Sequence, residues 1–335
     1  MTRGKITCIG NACTDIVARA DDDFIQKHAL RKSYCSDIKN IETLNRIKSD
    51  LNHYELIPGG AAANTAHTLS TLGDEVAFIA LCAKDAEGLH FKKDLEQNGV
   101  TSHIYILEEG TGQSTQVLSF ITPDGDRTFA SYNGVAQHFC KKHIPEDVIE
   151  QSSLLYLDGY TFCSPDTASA YVESIGSLHS RNGLACLNVG DRSIIETRKQ
   201  DVLSTLQLCD GFICNKAEAA ALYGDDKSFE FLAKRMLDEF QFGAITDGDN
   251  GAYIFRNGEI IYQPADDISH LKDVDSIGAG DHFAAAILHG IHHDLELERI
   301  GKLANLCAVD CLSHLGGRPL GGKGSLKHLV EQSKN

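Results

Sequence analysis

Short apolar runs alternate along the chain with segments of helical periodicity. The runs are strand-like, and several are apolar on both faces, as the strands of a covered parallel sheet must be. They are residues 6–9, 76–81, 154–157, 184–189, 211–214 and 244–246. The helical segments between them include residues 62–72, 167–178, 217–223 and 229–240. This alternation predicts an α/β fold, a three-layer sandwich around a mainly parallel central sheet with right-handed crossovers.

Two stretches interrupt that rhythm with more polar, strand-like and turn-like sequence, residues 15–58 and 104–135. The second contains an apolar run at residues 115–121 and then a turn at residues 123–126. Strand pairs inserted between the early βα units would project from the central sheet as a small β-sheet lid. The large α/β domain would then consist of residues 1–14, 59–103 and 136–335. We expect both parts to close around one site.

The composition is that of a folded chain, and it limits the partners. Of 335 residues, 42% are apolar and only 6 are proline, so the chain can bury a large core. No apolar run approaches the roughly 18 residues of a membrane helix. The N-terminus also lacks the apolar region of a signal peptide, and the expected location is therefore cytoplasmic. The formal charge of −16 opposes binding to nucleic acid or to an anionic membrane.

The cysteines and histidines show no pattern typical of a metal site. The chain has 11 cysteines and no Cys-x-x-Cys pair, so we expect reduced thiols. His67, His138 and the pair His292 and His293 have no metal-like spacing. We interpret these histidines as residues of the core or of helix surfaces.

The most informative segment is residues 275–281, with the sequence Asp-Ser-Ile-Gly-Ala-Gly-Asp directly before a helix-forming run. A turn of small residues before a helix directs several backbone N–H groups, and the positive end of the helix dipole, at one point. The pattern therefore predicts an anion site, with Asp281 in the first turn beside the anion. The alternative is that Asp281 only caps the helix and the glycines only make the turn.

Two common nucleotide motifs are absent from the sequence. Residues 321–325, Gly-Gly-Lys-Gly-Ser, have the wrong spacing and order for a P-loop, and the glycine-rich dinucleotide fingerprint is missing. In a nucleotide enzyme, the helix start at residues 278–281 would have to do the work of a P-loop.

These features resemble the ribokinase-like (PfkB) carbohydrate kinases, whose two signatures are both present. The C-terminal signature is residues 275–281, and the N-terminal one is residues 59–66, Gly-Gly-Ala-Ala-Ala-Asn-Thr-Ala. Further landmarks follow in order at residues 10–15, 85–88, 215–218 and 246–251, so the resemblance covers almost the whole chain. Within the family the sequence is most similar to adenosine kinase and its bacterial relatives, through residues 122–128 and 157–160 among others.

The resemblance implies an ATP-dependent kinase whose large α/β domain binds the nucleotide and carries out catalysis. Gly278, Ala279 and Gly280 would form the anion hole for the transferred phosphoryl group, because fixed amides match developing negative charge. Asp281 would accept the proton of the attacking hydroxyl. We expect the helix N-terminus to lower the pKa of Asp281, so that its position makes it effective as a base.

The resemblance also implies a site for ATP and Mg²⁺. Asn215 and Glu218 would hold Mg²⁺ near the phosphates, Glu218 indirectly through water, while Asn215 could at the same time cap a helix. Thr246, Gly248 and Gly251 would line the phosphates and ribose of ATP, or else form an ordinary hairpin turn.

For a monovalent cation, which family members often use beside the anion hole, Asp275 could supply a carbonyl. Ile277 replaces the hydroxyl-bearing residue that is usual there, and this departure weakens the case for a potassium site.

Five residues of the first βα units are implied as the acceptor site: Asn11, Asp15, Gly59, Gly60 and Asn64. Carboxylate and amide groups suit polyols, because each hydroxyl both donates and accepts a hydrogen bond. The glycines let the substrate approach the backbone closely. The alternative is that Asn64 is a helix-terminal residue and Asp15 a residue of a lid turn.

The expected substrate is a small sugar or nucleoside, with adenosine, converted to AMP, as the specific prediction. A nucleoside base needs an apolar wall, for which Phe120, Tyr132 and Phe162 are candidates, although each could instead be a core residue. The alternatives are a sugar kinase acting on ribose, fructose or a related carbohydrate, and a non-catalytic metabolite-binding regulator. A phosphosugar is disfavoured, since no cluster of Arg or Lys adjoins residues 59–64 or Asp15. The expected assembly is a monomer or a homodimer formed through the lid.

Overall fold

The computed structural model describes residues 4–124, 127–271 and 274–334. Its strands are β1 (Lys5–Ile9), β2 (Cys13–Arg19), β3 (Cys35–Asp37), β4 (Glu55–Pro58), β5 (Val76–Ala83), β6 (Thr101–Leu107), β7 (Thr115–Ile121), β8 (Arg127–Tyr132), β9 (Ser152–Asp158), β10 (Leu184–Asn188), β11 (Gly211–Asn215), β12 (Phe242–Thr246), β13 (Ala252–Arg256) and β14 (Glu259–Gln263).

The α-helices of the described residues are α1 (Asp22–Lys27), α2 (Ile41–Ser49), α3 (Ala61–Leu72), α4 (Ala86–Gln97), α5 (Glu146–Glu150), α6 (Thr167–His179), α7 (Arg192–Leu206), α8 (Lys216–Tyr223), α9 (Phe229–Glu239), α10 (Ala279–His292), α11 (Leu297–Leu312) and α12 (Lys327–Gln332). No helix among them is long and apolar enough to cross a membrane.

The large sheet has nine strands in the order β14-β13-β12-β11-β10-β9-β1-β5-β6. All of its pairings are parallel except those of β12 with β13 and of β13 with β14. In β1, Ile6 and Cys8 pack into the core on one face, beneath α3, α10 and α11, whereas Ile9 packs into the core on the other face, beneath α6 and α7. Because both faces are covered, the strands are apolar on both sides, and the predicted three-layer α/β fold is confirmed.

A second sheet of five strands, in the order β3-β8-β7-β2-β4, forms the lid. The lid core contains Ile16 of β2, Leu118 and Phe120 of β7, and Leu44 and Ile47 of α2. Two short helices, α1 and α2, therefore belong to the lid, although no helix was predicted in residues 15–58. Each begins at a side chain that accepts an N-terminal amide, Asp21 for α1 and Asn40 for α2.

The lid segments of the structure differ in extent from the predicted ones. The lid strand β2 already begins at Cys13. Residues 104–107 belong to β6, which pairs with β5 at the edge of the large sheet, so the second lid segment begins at Thr115. Gly125 and Asp126 of the predicted turn lie outside the described residues.

The order of the large sheet reverses direction between β1 and β9. From β1 the chain continues to β5 and β6 on one side, and from β9 to β10, β11 and β12 on the other. Ligands of open α/β sheets bind at the carboxyl ends of the strands at such a switch point. Here those ends are Ile9 and Asp158.

Candidate active site

The turn before α10 has a backbone that only glycine tolerates. Gly278 has a φ of +81°, and a Cβ placed on it would lie 2.4 Å from the Cα of Gly317. The turn therefore packs directly against the backbone of the loop after α11, and α10 starts at Ala279. First-turn amides of a helix have no intrahelical acceptor. Residues 278–280 thus present the amide-rich helix start that the sequence predicts for an anion.

Asp281 is joined to the start of a second helix, α3. The side-chain amide of Asn64 donates a hydrogen bond from Nδ2 to Oδ2 of Asp281 over 2.8 Å, and the hydroxyl of Thr65 donates to the main-chain oxygen of Asp281 over 3.2 Å. Asn64 is buried, and its Oδ1 accepts no hydrogen bond within the part of the chain described. The pair consequently offers a carboxylate and an unsatisfied acceptor side by side.

The pKa of Asp281 contradicts the sequence-based expectation. It is raised to about 7, chiefly because protein surrounds the carboxyl and removes water from it. The hydrogen bond from Asn64 lowers this pKa, and the negative charge of Asp158 raises it. The predicted lowering by the helix N-terminus was wrong because desolvation outweighs the local dipole.

The lid contributes Asp15, which packs against Gly59. A Cβ on Gly59 would lie 2.1 Å from Oδ2 of Asp15, so only glycine leaves room for this carboxylate. Burial raises the pKa of Asp15 to about 6. Gly60 begins α3 with a φ of +86°, and a Cβ on it would lie 2.9 Å from the main-chain oxygen of Asn11. The side chain of Asn11 is itself occupied, since Nδ2 donates to the main-chain oxygen of Tyr160 over 3.1 Å.

Arg318 is a residue of this site that the sequence reasoning missed. Its Nε donates to the main-chain oxygen of Pro58 and its Nη2 to that of Gly59, each over 3.1 Å. The guanidinium lies over the ring of Phe91, 5.5 Å from the centroid, and burial lowers its pKa. The sequence predicts no cluster of Arg or Lys beside Gly59; the structure places one buried arginine there, and it binds the turn through backbone carbonyls.

Asp158 is a second missed residue. It ends β9 at the switch point, accepts a hydrogen bond from the amide of Tyr160 over 2.9 Å, and is buried. Burial raises its pKa to about 7. Residues 157–160 are part of the family resemblance in the sequence. The sequence signal for Asp158 is a carboxylate that directly follows an apolar run.

A cavity of about 600 Å³ lies between the lid and the start of α10. Asp15 lies on its wall, and its lining residues Asp275, Ile277 and Gly316 belong to the loops on either side of the turn at residues 278–280. Its apolar lining comes mainly from the lid and includes Val17, Phe24, Ile57, Val117, Ile121, Phe129 and Leu315.

The three aromatic residues predicted as a base wall do not line this cavity. Phe120 and Tyr132 pack with the core of the lid, and Phe162 packs edge-on against Tyr171 in the core of the large domain. The alternative, a core role for each, therefore holds, and the aromatic residues on the cavity wall are Phe24 and Phe129.

An ion pair connects the lid to the loop before α10. Nη2 of Arg127 in β8 donates to Oδ1 of Asp275 over 2.9 Å. The same carboxylate accepts hydrogen bonds from the amides of Ile277, at 3.0 Å, and Gly316, at 2.9 Å. Asp275 thus joins the loop before α10 to the loop after α11, and it links both to the lid.

The predicted ATP residues lie at the carboxyl ends of β11 and β12. Asn215 and Thr246 are direct partners in the register of these strands. Asn215 begins α8, and its side chain accepts the amide of Glu218, while Glu218 accepts both the amide and the side chain of Asn215. The cap interpretation of Asn215 is therefore correct, and both oxygens of Glu218 already have donors.

The carboxyl group of Glu218 is buried, and its hydrogen-bond donors are the neutral groups of Asn215. Burial raises its pKa to about 7, and the charge of Asp191 adds to that rise. Among the described residues Glu218 forms no salt bridge. Buried negative charge without a positive partner suits a hydrated divalent cation, and the engaged oxygens favour contact through water.

The turn after β12 contains two glycines with left-handed backbones, Gly248 at a φ of +54° and Gly251 at +76°. A Cβ on Gly251 would lie 2.4 Å from the main-chain oxygen of Gln263, whereas the space around Gly248 is open. Glycine is thus required at position 251 by the packing of the turn, whereas the space beside Gly248 is open. Nζ of Lys216, at the start of α8, forms a 2.8 Å ion pair with Asp247, which follows β12.

Known proteins that are similar to this chain are kinases. The sequence model of the family described as pfkB family carbohydrate kinase matches residues 5–320. An uncharacterized sugar kinase of Escherichia coli (strain K12) is 26% identical over 321 residues, which covers 94% of this chain and 91% of that protein.

Two solved structures resemble the whole chain. The adenosine kinase of Sinorhizobium meliloti has a TM-score of 0.89 and 27% identity, covering 99% of this chain and 100% of that one. A probable sugar kinase of Rhizobium etli CFN 42 has a TM-score of 0.88 and 27% identity, covering 100% and 99%.

Proposed function

This chain belongs to the pfkB family of carbohydrate kinases and is thus an ATP-dependent phosphotransferase, and from that premise we propose that it phosphorylates the 5′-hydroxyl of adenosine. Asp281 is the base, residues 278–280 stabilise the transferred group, and the lid cavity binds the nucleoside. The observation that carries the proposal is the Asn64–Asp281 pair at the start of two helices, beside a cavity with an apolar wall.

In this proposal the residues of the chain accept the proton of the acceptor hydroxyl and stabilise the negative charge of the transferred phosphoryl group. The acceptor oxygen forms a bond to the γ-phosphorus, the bond from that phosphorus to the β–γ bridging oxygen breaks, and the acceptor proton passes to the carboxylate of Asp281. The amides of Gly278, Ala279 and Gly280 stabilise the charge on the transferred phosphoryl group. Asn64 fixes the carboxylate by its 2.8 Å hydrogen bond. Positioning of this kind is the main protein contribution to phosphoryl transfer.

The ribose hydroxyls would match the polar groups of Asp15, which lines the cavity, and of Asn64, which is bonded to Asp281. Oδ1 of Asn64 is buried and lacks a donor within the described residues, so a substrate hydroxyl would satisfy it. Asp15 supplies a carboxylate that is ionised above a pKa of about 6 and can accept a second hydroxyl. Gly59 and Gly60 leave the backbone open to the sugar. The side chain of Asn11 donates to the main-chain oxygen of Tyr160, and its carbonyl oxygen could still accept a hydrogen bond from the sugar.

The cavity wall supports a nucleoside over a free sugar. A free sugar presents hydroxyls on almost every side, whereas Phe24, Phe129 and Val117 offer apolar surface. Cavities of this size hold ligands larger than one sugar ring. Stacking of a base on aromatic side chains contributes about 1–3 kcal/mol. Adenosine should therefore be preferred over ribose by that amount plus the hydrogen bonds of its base.

Magnesium fits the residues on the nucleotide side. Glu218 would hold Mg²⁺ through water, with Asn215 beside it, and the ion would neutralise charge on the phosphates of ATP when bound. Thr246, Gly248 and Gly251 border the same end of β12 and would contact the nucleotide.

A sugar kinase proper is the second candidate. Its support is the likeness to two proteins named as sugar kinases. Polar residues at the cavity mouth, Arg19, Asp21 and Asn52, could serve a larger or more hydrophilic acceptor. A non-catalytic regulator has less support, because Asp281 and the complete turn before it are retained.

The test compares kcat/KM for adenosine, inosine, ribose and fructose with MgATP, by direct measurement of ADP. We expect adenosine to give the highest value. Should ribose or fructose exceed adenosine by tenfold or more, the nucleoside assignment fails while phosphoryl transfer stands. Phe129→Leu separates the cases further, because it should lower kcat/KM for adenosine and leave that for ribose within a factor of about two, since it removes only stacking.

A further inference from the structure

Four side chains form a cluster at the ends of α3 and α10 that lie far from Asp281. Asp74 follows the C-terminal glycine of α3 and is buried. Its Oδ2 lies 2.8 Å from Nδ1 of His289, and its Oδ1 lies 2.7 Å from Nε2 of His293. Nδ1 of His292 lies 3.2 Å from the hydroxyl of Ser153. Three histidines of one helix end thus surround one carboxylate.

The ligand atoms in this cluster are nearly close enough to share one ion. One carboxylate oxygen of Asp74 and one ring nitrogen each of His292 and His293 lie within 4.8 Å of one another. In a tetrahedral zinc site with bonds of about 2.0–2.1 Å, ligand atoms lie roughly 3.3 Å apart. His292 is half-buried and His293 exposed, so their rings can rotate over the difference without disturbing the core.

We propose that Asp74, His292 and His293 bind one Zn²⁺ ion, with water completing the coordination. Two imidazole nitrogens and one carboxylate oxygen suit zinc and disfavour magnesium or calcium, which prefer oxygen ligands. His289 then keeps its bond to the other oxygen of Asp74 and orients the carboxylate, as second-sphere partners of metal ligands do. His293 exchanges its hydrogen bond to Asp74 for a bond to the ion.

The position gives this ion a structural role. Helix α10 has 14 residues, so about 20 Å separates its two ends. Helices α3 and α10 pack against each other, and their N-termini carry Asn64 and Asp281. The ion would link the C-terminal ends of the same two helices. Binding would stabilise the folded chain by mass action and take no part in phosphoryl transfer.

The test uses the full chain, dialysed against chelator and then titrated calorimetrically with ZnCl₂. We expect one equivalent to bind and the melting temperature to rise. In the double variant His292→Gln with His293→Gln, affinity for that equivalent should fall by at least about 100-fold, since even outer-sphere changes cost 10–100-fold. His90→Gln is the matched control, because His90 is exposed and lies on α4, outside the cluster. It should bind as the unaltered chain does.

Cobalt distinguishes this site from the free cysteines, one of which, Cys35, is exposed. Co²⁺ on nitrogen and oxygen ligands lacks the near-ultraviolet charge-transfer band of a cobalt thiolate, and we expect no such band. The proposal is overturned if the unaltered chain binds no zinc, if the double variant binds it as tightly, or if the thiolate band accounts for the bound ion. Should the double variant not fold, His293→Gln alone decides, because its side chain is 41% exposed.

Discussion

Replacing Asn64 with leucine would remove the only side-chain hydrogen bond that the described residues donate to the carboxylate of Asp281 while retaining most of the side-chain volume. That hydrogen bond lowers the pKa of Asp281, which desolvation has raised to about 7. Without it, the pKa should rise further. Because Asp281 must be ionised to accept a proton, the acid limb of kcat/KM, which reports the free enzyme, should move to higher pH.

The size of the shift follows from the strength of one hydrogen bond to a charged group. Such bonds contribute about 1.5–3 kcal/mol, and one pKa unit corresponds to about 1.4 kcal/mol. Asp281 is half-buried as a residue, so solvent reduces the effect to about one unit. At pH 7 the variant should therefore lose several-fold more kcat/KM than at pH 9. Loss of the Oδ1 acceptor should in addition raise KM for the acceptor at every pH.

The assay is kcat/KM from pH 5.5 to 9.5 by direct quantification of ADP. Titration of ATP itself affects both proteins alike and cancels in the comparison. Thr65→Val is the matched control, since the hydroxyl of Thr65 donates to the main-chain oxygen of Asp281 and not to its carboxylate. Its acid limb should stay in place. If Asn64→Leu and the unaltered chain share one midpoint, the carboxyl of Asp281 does not control the acid limb, and its role as base is refuted.

Four further predictions concern the catalytic carboxyl, the metal, the lid and stability. Asp281→Asn should lower kcat by about 100-fold or more with the fold retained by circular dichroism, the usual scale for a lost general base; turnover near normal would exclude Asp281. Glu218→Gln should raise the Mg²⁺ concentration needed for half-maximal activity, and an unchanged magnesium titration would remove Glu218 from the metal site. Amide exchange in β7 and β8 should slow when an acceptor that the enzyme phosphorylates is added, because lid closure shields the reacting group from water. Equal protection with and without this acceptor would contradict closure. Because burial raises the pKa values of Asp158, Asp281 and Glu218 to about 7, the folded chain binds more protons than the unfolded chain between about pH 4 and pH 7. The melting temperature of the ligand-free chain should consequently be higher near pH 5, where these carboxyls are protonated, and should fall as the pH rises through 7. A melting temperature that these groups raise over the same range would contradict their burial.

The central sheet could be predicted because its signal is repeated and local. The central strands are apolar on both faces, as Ile6, Cys8 and Ile9 of β1 show, which is typical of a parallel sheet covered on both sides. The turn at residues 278–281 could also be predicted, since glycines before a helix specify amide geometry within a few residues. Residues 104–107 were predicted as part of the lid, but they belong to β6, a strand at the sheet edge that is only partly buried and so lacks the fully apolar run of the central strands.

Other parts of the site depend on contacts between distant residues, which local patterns do not record. Arg318 lies 259 positions from the carbonyl of Gly59 that it binds. The pKa of Asp281 is set by burial from the whole fold, and not by the helix on which it stands. His292 and His293 have no metal-like spacing by themselves, because the carboxylate that completes their cluster, Asp74, belongs to another helix end. Phe120 and Tyr132, two of the candidates for the base wall, likewise face the lid core, since one residue of register exchanges the two faces of a strand.

The parallel pairing of β2 with β7 has a consequence for the order of folding. Cys13 and Thr115 are partners in this register, and they lie about a hundred positions apart, so the pairing carries a large loop-closure entropy. The strands β5 and β6 lie between these partners in the chain, and we expect them to assemble with β1 first and so bring the two lid segments together. The lid should accordingly be the last unit to form and the first to open, and a fragment containing only the lid strands should not fold alone.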